Sequence, residues 1–304
     1  MADGQPAFLR SLLFAPANHP RRVERVADFG ADVVVLDLED AVADAEKVSA
    51  RGAVPPALRR YGDVLAGVRV NALSTGMTFA DLDAVVCPEL DLVVLPKVDA
   101  AEHLRLVDLH LARLERRQGM VTGAVRVVPL VETARGLIDV DAIAARAPAR
   151  TLSLMFGIGD YTVDLGIDPT PTGEELLYAR TRIAVACRAA GLPAPLDGPF
   201  LHLDDDAGLL ADTRRARSLG YQGRLVLHPK QVDIVHRGFS AVDAAELRRN
   251  RDIVGAFEAA EAAGLASIQV HGHFVDYPIY RRAREVVARH EHDERGRPQE
   301  DADA

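Results

Sequence analysis

Cysteine is scarce in this chain: among 304 residues only Cys87 and Cys187 carry thiols. Two cysteines so far apart offer neither the close spacing of a metal site nor a disulfide framework. A reducing, cytoplasmic setting is therefore expected. Also missing is any apolar run approaching the roughly 20 residues that cross a bilayer. Met1 to Phe8 has neither a basic start nor an apolar stretch, so no signal peptide is expected. Positive charge is in deficit, with 36 Lys and Arg against 45 Asp and Glu and a formal net charge of −9. That balance argues against a phosphate-backbone partner and against a basic membrane-binding face, so neither nucleic acid nor membrane is expected as a partner. A local basic site for a phosphorylated ligand stays compatible with it. What the chain has in quantity is apolar side chains, 48% of the total, enough to fill a large core.

Short β-branched runs alternate with longer Ala/Leu/Arg stretches, the pattern of repeated βαβ units. Eight strands are expected, at Arg10–Ala15, Asp32–Leu38, Gly67–Asn71, Leu92–Pro96, Arg126–Val131, Leu152–Gly157, Ala194–Gly198 and Arg224–His228. Runs such as VVVLDL and LVVLP are apolar at consecutive positions, as parallel strands covered on both faces are. Helices are expected between them at Arg21–Phe29, Phe79–Val86, Ala101–Arg117, Gly136–Arg146, Gly173–Ala190 and Asp205–Leu219, several ending at a glycine. The fold class is α/β, a single (β/α)8 TIM barrel over residues 1–239, with an open doubly wound sheet as the alternative. Residues 240–290 read as a C-terminal helical extension: a helix Ser240–Ala263, a Gly- and His-containing loop Leu265–Tyr277 and a helix Pro278–His290. Residues 291–304 read as a polar, disordered tail.

A barrel of this kind carries its chemistry at the C-terminal ends of its strands. There the chain places Asp37, Glu39 and Asp40 after the second strand, Arg69 after the third and Lys97 after the fourth. Glu132 follows the fifth strand, Asp160 the sixth, Asp197 the seventh and His228 the eighth. So many polar groups converging on one mouth would repel each other without a cation or substrate between them. Glu132 and Asp160, at consecutive strand ends with no His or Cys beside them, suit Mg²⁺, for which Mn²⁺ can substitute. The bland alternative is that they cap the next helix or pair with Arg69 or Lys97. Arg69 is a planar fork donor that can hold a carboxylate or an enolate oxygen; its alternative is a salt bridge with Glu39 or Asp40. Asp37, Glu39 and Asp40 would orient it, and Asp37 and Glu39 share one strand face. The pairs His271/His273 and His290/His292 look like metal tags but are not expected to be functional. Gly157-Ile158-Gly159 is a weak phosphate signal, and Cys187 is expected in the core.

Read in order, these segments resemble the citrate lyase β-subunit-like family, which includes malyl-CoA and citramalyl-CoA lyases, within the HpcH/HpaI aldolase superfamily. The resemblance rests on RSLLFAP (10–16), ADVVVLDLEDAV (31–42), KVSAR (47–51), VRVNALSTG (68–76) and DLVVLPKV (91–98). It continues through VVPLVETARGL (127–137), FGIGDYTVDLG (156–166), AGLPAPLDGPF (190–200), LGYQGRLVLHPKQV (219–232) and GHFVDYPIYRRA (272–283). It implies Mg²⁺ on Glu132 and Asp160, substrate on Arg69 and Glu132, and Glu39 and Asp40 as the acidic cluster behind Arg69. It implies that Asp276, in the V-D-x-P motif, reaches a neighbouring subunit's site as acid/base, within a homotrimer or hexamer. Arg21, Arg22, Lys47 and Arg51 are the candidates for holding coenzyme A. Two departures stand out: Gly223-Arg224 replaces the usual Gly-Lys, and the N-terminal basic pair sits beside Pro20. The implied activity is a Mg²⁺-dependent carbon–carbon lyase on a hydroxyacyl-CoA thioester, releasing acetyl-CoA or a homologue plus glyoxylate or pyruvate through an enolate. The alternatives are the β subunit of a citrate lyase complex acting on a carrier-bound thioester, a malyl-CoA thioesterase, and an aldolase for free 2-oxo acids.

Overall fold

In the computed structural model, which describes residues 9–240 and 244–295, eight parallel strands close into a barrel in chain order. They are β1 (Ser11–Pro16), β2 (Val33–Asp37), β3 (Leu65–Arg69), β4 (Leu92–Leu95), β5 (Arg126–Val131), β6 (Met155–Phe156), β7 (Leu196–Asp197) and β8 (Gly223–Val226). β1 pairs with both β2 and β8, which shuts the barrel. The last three strands are shorter than the sequence suggests, because regular pairing holds for only two to four residues there.

Alternation along each strand sorts the core into two layers. Leu12, Val33, Val35, Leu92, Val94, Val128, Leu130, Met155, Leu196 and Leu225 fill the barrel interior. Leu13, Val34, Leu36, Val93, Leu95 and Val131 face the other way and pack with the helices. Both faces are thus buried, which explains the unbroken apolar runs. The inward face sets the site: continuing each inward series by two residues leads from Val35 to Asp37 and from Leu130 to Glu132.

Three helices escape the sequence reading: Lys47–Leu58, Ile158–Leu165 and Val232–Ser240. Lys47–Leu58 is helical although it contains Gly52, Pro55 and Pro56. Each proline removes a backbone donor, so propensity argues against this helix. Burial of Ala50, Val54, Ala57 and Leu58 in the core overrides it.

One compact unit ends at Phe239 and a second begins at Ser240. The second contains a helix Ala244–Ala262, strands β9 (Ser267–Val270) and β10 (His273–Asp276), and a helix Tyr277–Arg295. The expected loop Leu265–Tyr277 is in fact an antiparallel hairpin. His271 and Gly272 have φ of 50° and 81°, the left-handed pair that a tight two-residue turn needs. Phe257, Val270, Val275 and Tyr280 form this unit's own small core. Its last helix continues to Arg295, past residue 291, where the sequence reading starts a disordered tail. The rest of that expected tail, residues 296–304, lies outside the described residues. Among the described residues, no helix is long and apolar enough to cross a membrane.

Candidate active site

Asp37 and Arg69 end adjacent strands and are register partners. Their side chains follow the inward alternation and meet. Arg69 Nε donates to Asp37 Oδ1 at 2.8 Å and Nη2 donates to Asp37 Oδ2 at 2.5 Å, a bidentate pair. The guanidinium lies over the Phe14 ring, 5.4 Å from its centroid. Its Nη1 is 3.1 Å from Glu39 Oε2 and 3.8 Å from Asp40 Oδ2. Burial disfavours charge on Arg69, but Asp37 and then Glu39 outweigh it, and the guanidinium is held protonated more firmly than usual.

Glu132 comes from the first position after β5 and is only 1% exposed. Its Oε1 accepts from the backbone N–H of Lys97 at 2.7 Å. Gly157, one strand over, makes room for it: a Cβ there would overlap the Glu132 carboxylate. Burial, then the charges of Glu39 and Asp160, push the Glu132 carboxyl up to about 8. Glu39 behaves similarly: burial raises its carboxyl to about 6, opposed by Arg69 and reinforced by Asp40. Its Oε1 accepts from Lys97 Nζ at 3.0 Å. Its Oε2 is buried with no donor pointing at it, despite the nearby Arg69. The Lys97 ammonium also lies 3.8 Å from Asp40 Oδ1 and 3.9 Å from Asp160 Oδ1. Asp160 sits in the first turn of the helix Ile158–Leu165.

These groups surround a cavity of about 500 Å³ whose lining includes Phe14, Arg22, Asp37, Asp40, Arg69, Glu132, Asp160 and Leu227. Neither His nor Cys lines it. Among the described residues, no group of three or more His, Cys, Asp or Glu is arranged to hold a metal by itself. Two oxygen donors, Glu132 and Asp160, fit a hard divalent ion that keeps waters or substrate as its remaining ligands. The like-charge pressure on Glu132 is what such an ion would relieve.

The structure brings Arg69, Glu39, Asp40, Glu132 and Asp160 together as the strand-end pattern anticipates. The four basic candidates separate. Arg21 and Arg22 are exposed, and Arg22 lines the cavity. Lys47 and Arg51 turn inward instead. Lys47 Nζ donates to Asn71 Oδ1 at 2.6 Å and to the Glu39 carbonyl at 3.1 Å, and Arg51 Nε donates to Asp81 at 2.5 Å. Asp81 in turn accepts from Asn71, so both cations brace the ends of β2 and β3 rather than face a phosphate. Arg224 is likewise no ligand group: it is fully buried and bonds Gly198, Asp212 and Thr213. Asp276 belongs to the C-terminal unit, where it ends β10 and accepts from the Ile279 N–H at 3.4 Å.

Three roles were not legible in advance. Lys97 reads in the sequence only as a pairing partner; the signal was its place at a strand end. Asp37 reads as an orienting group and proves to be the bidentate anchor of Arg69. Gly157 reads as part of a weak phosphate turn and instead supplies the space for Glu132.

The sequence profile of the HpcH/HpaI aldolase/citrate lyase family matches residues 10–229. The citrate lyase subunit beta of Leuconostoc mesenteroides subsp. cremoris is 34% identical, over 91% of this chain and 92% of that protein. An L-malyl-CoA/beta-methylmalyl-CoA lyase of Cereibacter sphaeroides is 33% identical, over 91% and 93%. The crystal structure of protein CitE from Mycobacterium tuberculosis with magnesium, acetoacetate and coenzyme A superposes with a TM-score of 0.75 at 28% identity, covering 94% of this chain and 100% of that one.

Proposed function

The chain belongs to the HpcH/HpaI aldolase/citrate lyase family, a family of carbon–carbon lyases, and from that premise we propose that it cleaves a hydroxyacyl-CoA thioester of the malyl or citramalyl type with Mg²⁺. The observation that carries this reading is the surplus of carboxylate around one cavity, with Glu132 buried and pushed up to about 8 by burial and like charge. Glu132 and Asp160 would hold the cation, and Mn²⁺ would replace Mg²⁺. When bound, the ion acts as a Lewis acid toward the oxygens of a 2-oxo or 2-hydroxy acid unit. The relatives support the same class: one is a malyl-CoA lyase, and the solved structure holds magnesium and coenzyme A.

The side chains then divide the work. Arg69 has five N–H donors, of which Asp37 takes two. The remainder would hold the thioester oxygen as it becomes an enolate oxygen, with Asp37 fixing the fork. The substrate hydroxyl gives up its proton to water, its electron pair forms the carbonyl of the departing 2-oxo acid, and the pair of the breaking carbon–carbon bond goes to the thioester α-carbon as the enolate. Asp37 and Glu39 keep Arg69 charged. Asp276 would return a proton to the α-carbon. Its supply from a neighbouring copy in a trimer or trimer pair is part of the proposal. Mixing Asp276→Ala with Glu132→Ala under subunit exchange should then regenerate activity. Hybrids as inactive as the parents, despite proven exchange, would confine the site to one chain. Arg22, at the cavity rim, and Arg21 are the cations left to meet coenzyme A phosphates.

A second reading has its own support, since other relatives are citrate lyase β subunits: a carrier-bound thioester would replace the CoA thioester. One assay addresses both. Purified protein is offered a panel of acyl-CoA thioesters and their carrier-bound counterparts, with detection of glyoxylate, pyruvate and oxaloacetate, with Mg²⁺ and with chelator. Release of a 2-oxo acid from an acyl-CoA, abolished by chelator and restored by Mg²⁺, is expected. Cleavage of the carrier-bound form alone selects the second reading, and free hydroxy acid without a 2-oxo acid identifies a thioesterase.

A further inference from the structure

Among the described residues, Lys97 is one of two non-glycine positions with positive φ, at 51°. That region is unfavourable for a long L side chain and persists where surroundings hold it. The step is confined to one residue, because the next N–H, of Val98, already donates to Leu130 O on β5 at 3.0 Å. Both ends of Lys97 are gripped by the acidic mouth. Its N–H donates to Glu132 Oε1 at 2.7 Å, and its ammonium donates to Glu39 Oε1 at 3.0 Å. The same ammonium lies 3.8 Å from Asp40 and 3.9 Å from Asp160. Glu39 Oε2 is buried and ion-paired with Arg69 Nη1 at 3.1 Å without an aligned hydrogen bond.

We infer that Lys97 is a positioning residue with a regulatory charge: it presents Glu132 through its backbone, and its ammonium competes with a divalent cation for the mouth, setting that cation's affinity. The inference rests on the reading of Glu132 and Asp160 as cation ligands. The ammonium lies among three carboxylates, bonded to Glu39 and near Asp40 and Asp160, and partly neutralises them. A doubly charged ion entering the same site meets that ammonium as a like charge. The side chain is 32% exposed, so solvent screens the repulsion without removing it. Removing the charge should therefore tighten cation binding while weakening the cation-free fold. A lysine with a purely structural role predicts the second effect without the first.

The test measures Mn²⁺ binding without substrate, as free Mn²⁺ by electron paramagnetic resonance. Lys97→Met removes the charge and keeps the side-chain length and backbone N–H; Lys97→Arg keeps the charge. Lys97→Met is expected to bind Mn²⁺ about tenfold tighter than the parent, from the like-charge repulsion removed. It should also melt lower in chelator and recover with Mn²⁺. Lys97→Arg should stay within about twofold of the parent, since the like charge persists. If Lys97→Met folds only with the ion present, chelator competition gives the same affinity. An affinity in Lys97→Met equal to or weaker than the parent's overturns the inference while leaving the cation site intact. A parent protein that binds no Mn²⁺ removes the cation site and this inference together.

Discussion

Two of the clusters of buried charge in this barrel are built on opposite plans. Between the wall and the helices Leu177–Ala189 and Asp206–Ser218, Arg180 and Arg224 face Asp197 and Asp212. Every carboxylate oxygen there accepts from a guanidinium, at 2.9 to 3.1 Å. With Arg215 Nη1 also 3.7 Å from Asp212 Oδ1, three cations meet two anions, and the cluster is complete. At the mouth, Arg69 and Lys97 face Asp37, Glu39, Asp40, Glu132 and Asp160, three more carboxyl groups than these two cations. Proton affinity records the difference. Burial would raise Asp212, but Arg224 and Arg180 overcome it and hold the carboxyl below its ordinary range. At the mouth the same burial wins, and Glu132 rises to about 8. A closed network needs nothing more, whereas an open one is completed by a ligand.

Substitution should separate the two plans most widely. Glu132→Gln or Asp160→Asn is expected to lower turnover roughly a hundredfold or more, since loss of a ligand should exceed the cost of losing an outer partner. Melting temperature should hold or rise in these variants, because a repelled charge has gone. Arg180→Met should do the reverse, costing about 3–5 kcal/mol of stability because two buried carboxylates lose their partner. Its activity per folded molecule should stay near the parent's. Denaturant melts and turnover on the same preparations give both numbers. A Glu132→Gln protein that loses stability but keeps its activity would put the mouth in the same structural class as the Arg180 cluster.

Arg69→Lys sharpens the contrast inside the mouth itself. The charge survives while the fork that binds Asp37 on two atoms does not. A fall in kcat on the order of a hundredfold is expected, as for other lost oxyanion donors, with a smaller change in melting temperature. Loss of stability with retained kcat would make Arg69 a strut.

The pH dependence of stability is a smaller effect with a definite sign. Glu132 is pushed up from its ordinary 4.5 to about 8. The folded chain then binds more protons than the unfolded chain between those values, so stability falls as pH rises through that window. Glu39, raised to about 6, adds to the fall in its lower part. His236, whose imidazole is lowered by burial, acts in the opposite direction and is complete above its ordinary 6.5. Between pH 6.5 and 8, chelated protein should therefore lose melting temperature. Saturating Mg²⁺ should flatten the slope, and so should Glu132→Gln. A slope unchanged in Glu132→Gln would assign it elsewhere.

Much of this was legible in the sequence because strand ends and alternation are local signals. VVVLDL announces a two-sided strand and also that Asp37 must follow Val33 and Val35 inward. The same logic places Glu132 after Val128 and Leu130. What stayed hidden depends on contacts between distant segments. Lys47 and Arg51 carry the same charge as Arg21 and Arg22, yet Asn71 and Asp81, from another βα unit, turn them inward. Arg224 follows the Gly expected before a phosphate lysine, but the register that pairs it with Asp197 aims it at the helices. The left-handed Lys97 has no compositional mark at all. Gly52, Pro55 and Pro56 disguise a helix that tertiary burial enforces.

The smallest predicted effect isolates space from charge at the mouth. Gly157 has φ −96° and ψ 89°, values open to any L residue, so alanine there meets no backbone strain. Its added methyl would instead overlap the Glu132 side chain, which is buried and held from the far side by the Lys97 N–H. Gly159, two residues on, is also glycine and also lines the cavity, but a Cβ there has nothing within 4 Å. Gly157→Ala should therefore weaken Mn²⁺ binding about tenfold by shifting one ligand, an effect on the scale of a lost outer partner. Gly159→Ala should leave that affinity within about twofold and raise stability by about 0.4–1 kcal/mol, through a less flexible unfolded chain. The pair shares chemistry and neighbourhood and differs only in what the methyl meets. Equal Mn²⁺ affinities in the two variants would mean that the position of Glu132 does not limit the site, and the open cluster would then owe its ligand to charge alone.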